Sequence, residues 1–183
     1  MSRRLSDWKI WILWLAANVV PWWIGCALIE PLSLRLDQQG DIGRTTTLLL
    51  WTLVCVLVGL AQWWVLKQCL TGMKWWPVAT LLGGAISSLG FFTTAYAIPL
   101  IMGGTFGVTQ WWVLRRRVPK AWLWIVAQVL AAFAGLIAAL LMPVDAATGN
   151  FKENLLVMGT AVEIAASLVT GTTLIFLLRQ RQN

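Results

Sequence analysis

Glu163 is the one ionisable residue well inside an apolar stretch, Asn154–Leu178. It sits about ten residues, or about 15 Å of helix, below the outer end of that stretch. An ionised carboxylate at such depth costs about 2.5–3.5 kcal/mol on insertion scales, a cost lowered by protonation or pairing. Three chemistries fit a lone buried carboxyl. It can hold a proton or cation, or serve as an axial ligand to the magnesium of a chlorophyll-type pigment. It can also stay protonated and hydrogen-bond a neighbouring helix. Ser167, one turn below, or a group in the outer half is the expected partner, since Asn18 and Gln128 lie nearer the inner surface.

The other polar groups in apolar surroundings are amides and one hydroxyl: Asn18, Gln62, Thr80, Gln110 and Gln128. In lipid such side chains bond across helix contacts. Arranged around an axis, they would form a polar ring. Glu163, Gln62, Gln110, Gln128 and Asn18 are therefore the candidate ligand-binding residues. No catalytic residue is expected. There is no histidine, which removes imidazole-bound haem or zinc and any histidine triad. No metal-ligand cluster, nucleophile elbow or phosphate loop is present. Cys26, Cys55 and Cys69 form no C-x-x-C pair and read as small apolar residues at different depths.

These residues must be positioned by helices in a membrane. Hydrophobic residues make up 59% of the 183-residue chain and charged ones 11%, against about 25% in an average soluble domain. Too few polar groups exist to cover a soluble fold. The net charge of +7 reads as basic flanks of membrane spans rather than a nucleic-acid surface. Spans of about 20 residues fit Trp8–Ile29, interrupted by Pro21, then Thr45–Leu66, Ala121–Met142 and Asn154–Leu178. The uncharged run Trp75–Leu114 is long enough for two more, with a turn at Gly90–Thr94. The run Glu30–Arg44 is expected to be an outer loop.

Charge orients the six spans. With both termini in the cytoplasm, 11 of the 14 basic residues lie inside and only Arg35, Arg44 and Lys152 outside. The acids reverse this: Glu30, Asp37, Asp41, Asp145 and Glu153 are outside, and Asp7 inside. Five spans would put the Arg115–Lys120 cluster outside, against the positive-inside rule.

An internal repeat organises the chain. Gln62-Trp-Trp-Val-Leu-Lys67 returns as Gln110-Trp-Trp-Val-Leu-Arg115, each with a glycine three residues earlier, Gly59 and Gly107. Gly171, Leu174, Leu178 and Arg179 form a degenerate third copy. Odd spans align too: Trp14, Asn18 and Gly25 with Trp76, Thr80 and Ser87, and with Trp124, Gln128 and Gly135. Gln62 to Trp76 and Gln110 to Trp124 are both 14 residues apart. The chain thus reads as an all-α, six-helix bundle of three tandem hairpins, about 8–67, 75–115 and 121–179, in one integral membrane domain. Gly59, Gly107, Gly171, Gly25 and Gly135 are the candidate helix-packing positions, since small stripes let helices approach.

Of 14 tryptophans, 11 fall at the inner ends, including Trp14, Trp76 and Trp124. Interleaved with Lys and Arg, they read as an inner aromatic belt on an anionic leaflet. They could also pack a polyene or flat pigment.

The recurring G-x-x-Q-W-x-V-L-[K/R] strings resemble those of a group of small polytopic bacterial membrane proteins. The resemblance covers most of residues 8–179. It implies the repeat fold and supplies no active residues. The leading expectation is a non-catalytic accessory subunit of a larger membrane complex, energy-transducing or photosynthetic, in a bacterial inner or photosynthetic membrane. Its partners would be lipids and other integral subunits, and its cofactor candidates lipid, carotenoid or chlorophyll-type pigment. The alternative is a small-molecule carrier or the substrate-binding subunit of a transporter. Six spans and a 15-residue outer loop resemble vitamin-binding subunits of energy-coupling transporters, although the hairpin triplication argues against that analogy.

Overall fold

The computed structural model describes residues 6–36, 41–88, 98–142 and 151–181, with side chains described for 6–28, 51–88, 99–142 and 156–181. The chain forms α1 (Asp7–Leu36), α2 (Asp41–Cys69), α3 (Trp76–Ser88), α4 (Ile98–Leu114), α5 (Leu123–Leu141) and α6 (Phe151–Gln180). No strand occurs among the described residues. Four segments are long and apolar enough to cross a membrane: Asp7–Leu28, Trp51–Cys69, Leu123–Leu141 and Leu156–Gln180. The described parts of α3 and α4, 13 and 17 residues, are shorter. This is a helical membrane protein with several apolar helices and many tryptophans.

Two expectations about α1 need correction. Pro21 does not interrupt it, and the helix passes Pro31 as well. A proline inside an apolar helix is tolerated where neighbouring helices and local adjustments re-satisfy the freed carbonyl. The helix also runs on to Leu36, and α2 starts at Asp41, so most of Glu30–Arg44 is helix rather than loop. The turn expected at Gly90–Thr94 lies outside the described residues.

Each helix packs against its neighbours in the chain, and α6 returns to pack against α1. The six helices therefore close a ring. The two glycine sets make different contacts in it. Gly25 faces Val54 and Gly135 faces Val162, within a hairpin. Gly59, Gly107 and Gly171 instead face the next hairpin. A Cβ on Gly59 would come 2.9 Å from Thr80 Cβ, one on Gly107 2.9 Å from Ile125 Cα, and one on Gly171 3.2 Å from Trp14. Removing the side chain lets the backbones approach.

The loops at the basic end repeat as well. Leu70 N–H donates to Leu66 O and Val118 N–H to Leu114 O; Trp76 N–H donates to Met73 O and Trp124 N–H to Ala121 O. The equivalent turn positions Gly72 and Lys120 both have positive φ, 75° and 54°. In the third copy the basic ends of α6 and α1 meet directly. There Arg179 of α6 bonds Asp7 of α1, Nε to Oδ2 at 2.9 Å.

Candidate functional site

The axis of the ring is built from the repeated tryptophans. Trp14, Trp76 and Trp124 are fully buried and pack edge to face in a triangle, with ring centroids 6.3, 5.7 and 5.7 Å apart. These three are not belt residues, contrary to the sequence reading. Neighbouring positions show why: Trp75, just before α3, is 52% exposed, whereas Trp76, the first residue of α3, is 0% exposed. Leu66, Leu114 and Leu177 complete the core beside them.

Each buried indole N–H needs an acceptor. Trp76 Nε1 donates to Gln62 Oε1 and Trp124 Nε1 to Gln110 Oε1, both at 2.9 Å. This pairing explains the fixed 14-residue spacing between those motifs. In the third copy Leu174 fills the glutamine position and is buried in the core. Thr170, one turn earlier, takes over: Trp14 Nε1 donates to its Oγ1 at 3.0 Å. Sequence reasoning missed Thr170, although it shares the helix face of Leu174.

The polar ring forms in two parts. Gln62 Nε2 donates to Asn18 Oδ1 at 2.8 Å, and Asn18 Nδ2 to Trp14 O at 2.7 Å. Across the ring, Gln110 Nε2 donates to Thr80 Oγ1 at 3.0 Å and Gln128 Nε2 to Gln110 Oε1 at 2.8 Å. Gln128 Oε1 accepts no hydrogen bond among the described residues.

Above this floor lies a cavity of about 150 Å³ lined by residues from all six helices. Its base holds Asn18, Gln62, Thr80, Gln110, Gln128 and Thr170. Its walls are apolar, with Val54, Val58, Phe106, Ala131 and Val162 among them. Farther from the floor come Trp22, Trp51, Cys55 and Glu163. Glu163 thus reaches the same cavity as the four amides, two turns up α6 from Thr170. Its carboxylate makes no hydrogen bond or ion pair among the described residues. Ser167 is not its partner: that hydroxyl is buried and unbonded. No cluster of metal-ligating side chains occurs among the described residues.

At the basic end, a second hollow of about 230 Å³ lies between Gly72, Lys74, Trp75, Trp112, Arg116 and Arg117. Basic side chains there also cover indole faces: Lys67 lies 4.6 Å from the Trp63 ring centroid and Arg115 5.2 Å from that of Trp111. No protein-family model, curated relative or solved structure matches the chain.

Proposed function

We propose that this chain is a multi-pass protein of a bacterial inner or photosynthetic membrane that holds a small molecule in its axial cavity. It would act as a carrier or as the substrate-binding subunit of a transporter, without catalysis of its own. It spans six times with both termini in the cytoplasm, a topology supported by the basic residues clustered at the end where α1 begins and α6 ends. Lipids are its partners at that end, where Lys74, Arg116 and Arg117 beside Trp75 and Trp112 suit anionic headgroups.

The observation that carries the reading is the cavity: a concave, mostly apolar space with a few convergent polar groups, which is the usual form of a ligand site. Its volume matches a benzene-sized occupant. A carotenoid or chlorophyll-type pigment is far larger. Any pigment would therefore sit on the perimeter, and Glu163 would not ligate its magnesium inside the cavity.

A second reading, a non-catalytic accessory subunit, is favoured by the perimeter itself. Trp8, Trp64, Trp112, Trp122, Leu140 and Leu141 are exposed apolar residues available to partner helices as well as to lipid. Release in native lipid discs, followed by mass spectrometry of chains and small molecules, separates the two. The cavity reading expects a small molecule on the unaltered protein and its loss in Ala131→Phe, which fills the cavity. A partner chain at fixed stoichiometry, with no small molecule, would favour the accessory subunit.

A further inference from the structure

We infer that the axial cavity selects a small organic cation, such as a quaternary or protonated amine, with Glu163 as its counter-ion and Trp22 and Trp51 as its aromatic walls. This rests on the reading of the cavity as a ligand site.

Glu163 is the one acidic side chain in the cavity lining. Its carboxylate is unpaired among the described residues, and Gln128 Oε1 offers a second free acceptor. A carboxylate without a counter-charge favours a cation, and a hydroxyl on that cation can donate to the amide oxygen or accept from Trp22 Nε1, a buried donor of the lining with no bond of its own. Two indoles, Trp22 and Trp51, line the cavity at the level of Glu163. Aromatic faces attract organic cations, and more strongly when water is excluded. Metal ions fit less well. Calcium takes six to eight oxygen ligands and magnesium demands a near-octahedral set, whereas this lining is mostly apolar.

The repeat sharpens the assignment. Eleven residues before Gln62, Gln110 and Leu174 stand Trp51, Pro99 and Glu163. Three equivalent positions around the axis thus carry an indole, a proline and a carboxylate. Trp22 is equally singular, since its equivalents are Gly84 and Ala132. Gly159 makes room for it: a Cβ there would strike the Trp22 ring. The floor keeps the repeat in its tryptophans and two of its glutamines, while the level of Glu163 departs from it at each position that gives the site its chemistry.

The test is calorimetric titration of the full chain in lipid nanodiscs with choline, tetramethylammonium, sodium, potassium and dimethylbutanol, the uncharged carbon analogue of choline. The organic cations should bind, and the metal ions and the uncharged analogue should not. Glu163→Gln should weaken choline about a hundredfold, the effect of losing the attraction between unit charges about 6 Å apart at an effective dielectric constant of about 20. Trp22→Leu should weaken it about tenfold. If dimethylbutanol binds as tightly as choline, the cation assignment is overturned while the cavity remains a ligand site. If neither organic cation binds, the assignment is overturned as well. If choline binds and Glu163→Gln leaves it unchanged, Glu163 is not the counter-ion. The comparison of choline with its analogue uses the unaltered protein, so it decides the point even if a variant fails to assemble.

Discussion

Gln62 and Leu174 occupy equivalent places, yet both Trp76 and Trp14 find an acceptor. The difference is one turn: Thr170 does for Trp14 what Gln62 does for Trp76. Gln62→Leu would leave Trp76 Nε1 and Asn18 Oδ1 buried without partners. At about 1–3 kcal/mol for each such group, the variant should lose about 2–6 kcal/mol in an unfolding titration. Val58 is the equivalent of Thr170, so adding Val58→Thr should restore a bond to Trp76 and recover about half the loss. An undiminished stability in Gln62→Leu would count against the network. A second residue-scale test uses the repeated turn. Lys120 sits at positive φ where the other copy has Gly72. Lys120→Gly should raise stability by about 0.5–1 kcal/mol, because the left-handed region penalises a Cβ by more than glycine loses in chain entropy. The glutamine motif was legible in the sequence because it recurs with its spacing. Thr170 was not, because a threonine in a helix usually bonds its own preceding turn. It does that too, donating to Ala166 O at 2.9 Å while accepting from Trp14. The tryptophan triangle was hidden for a similar reason: indoles beside basic residues at helix ends have the composition of an interface belt.

Glycine decides how closely the elements approach. A Cβ on Gly107 would meet the α5 backbone, whereas one on Gly104 would meet nothing within 4 Å. The two residues lie on one helix and have the same intrinsic preference. Gly107→Ala should therefore destabilise by forcing α4 and α5 apart. Gly104→Ala should be neutral or stabilising by up to about 1 kcal/mol, the gain in helix propensity. Parallel melting curves of the two variants would show this, and equal shifts would contradict the packing role. The helices themselves were largely legible as apolar stretches bounded by charge. Their ends were not. The extension of α1 to Leu36 carries Glu30, Pro31 and Arg35, residues that read as a loop when taken by type alone. The placement of Glu163 at a cavity was also beyond the sequence. Spacing along α6 gives its depth and face, but only the return of α6 to α1 sets that face against the other five helices.

The whole molecule is a ring made by repetition and closed without a covalent link. The charge distribution predicts that reporters fused at Asn183 and near Asn150 fall on opposite sides of the membrane, with Asn183 in the cytoplasm; equal signals would refute six spans. The cavity depends on closure, because an open arc of helices has no axis to enclose it. Closure rests on the contact of α6 with α1, through Trp14 and Thr170 in the core, Trp23 and Thr160 farther along, and Asp7 and Arg179 at the end. The last pair is 47% and 69% exposed, so replacing it costs little. The most direct test puts cysteines at both positions, in a chain whose Cys26, Cys55 and Cys69 are changed to serine, and treats native membranes with a short bifunctional maleimide. The closed ring predicts a bridge within one chain, seen as the monomer mass plus one linker. No bridge, or bridges only between chains, would contradict the ring and the axial site built on it.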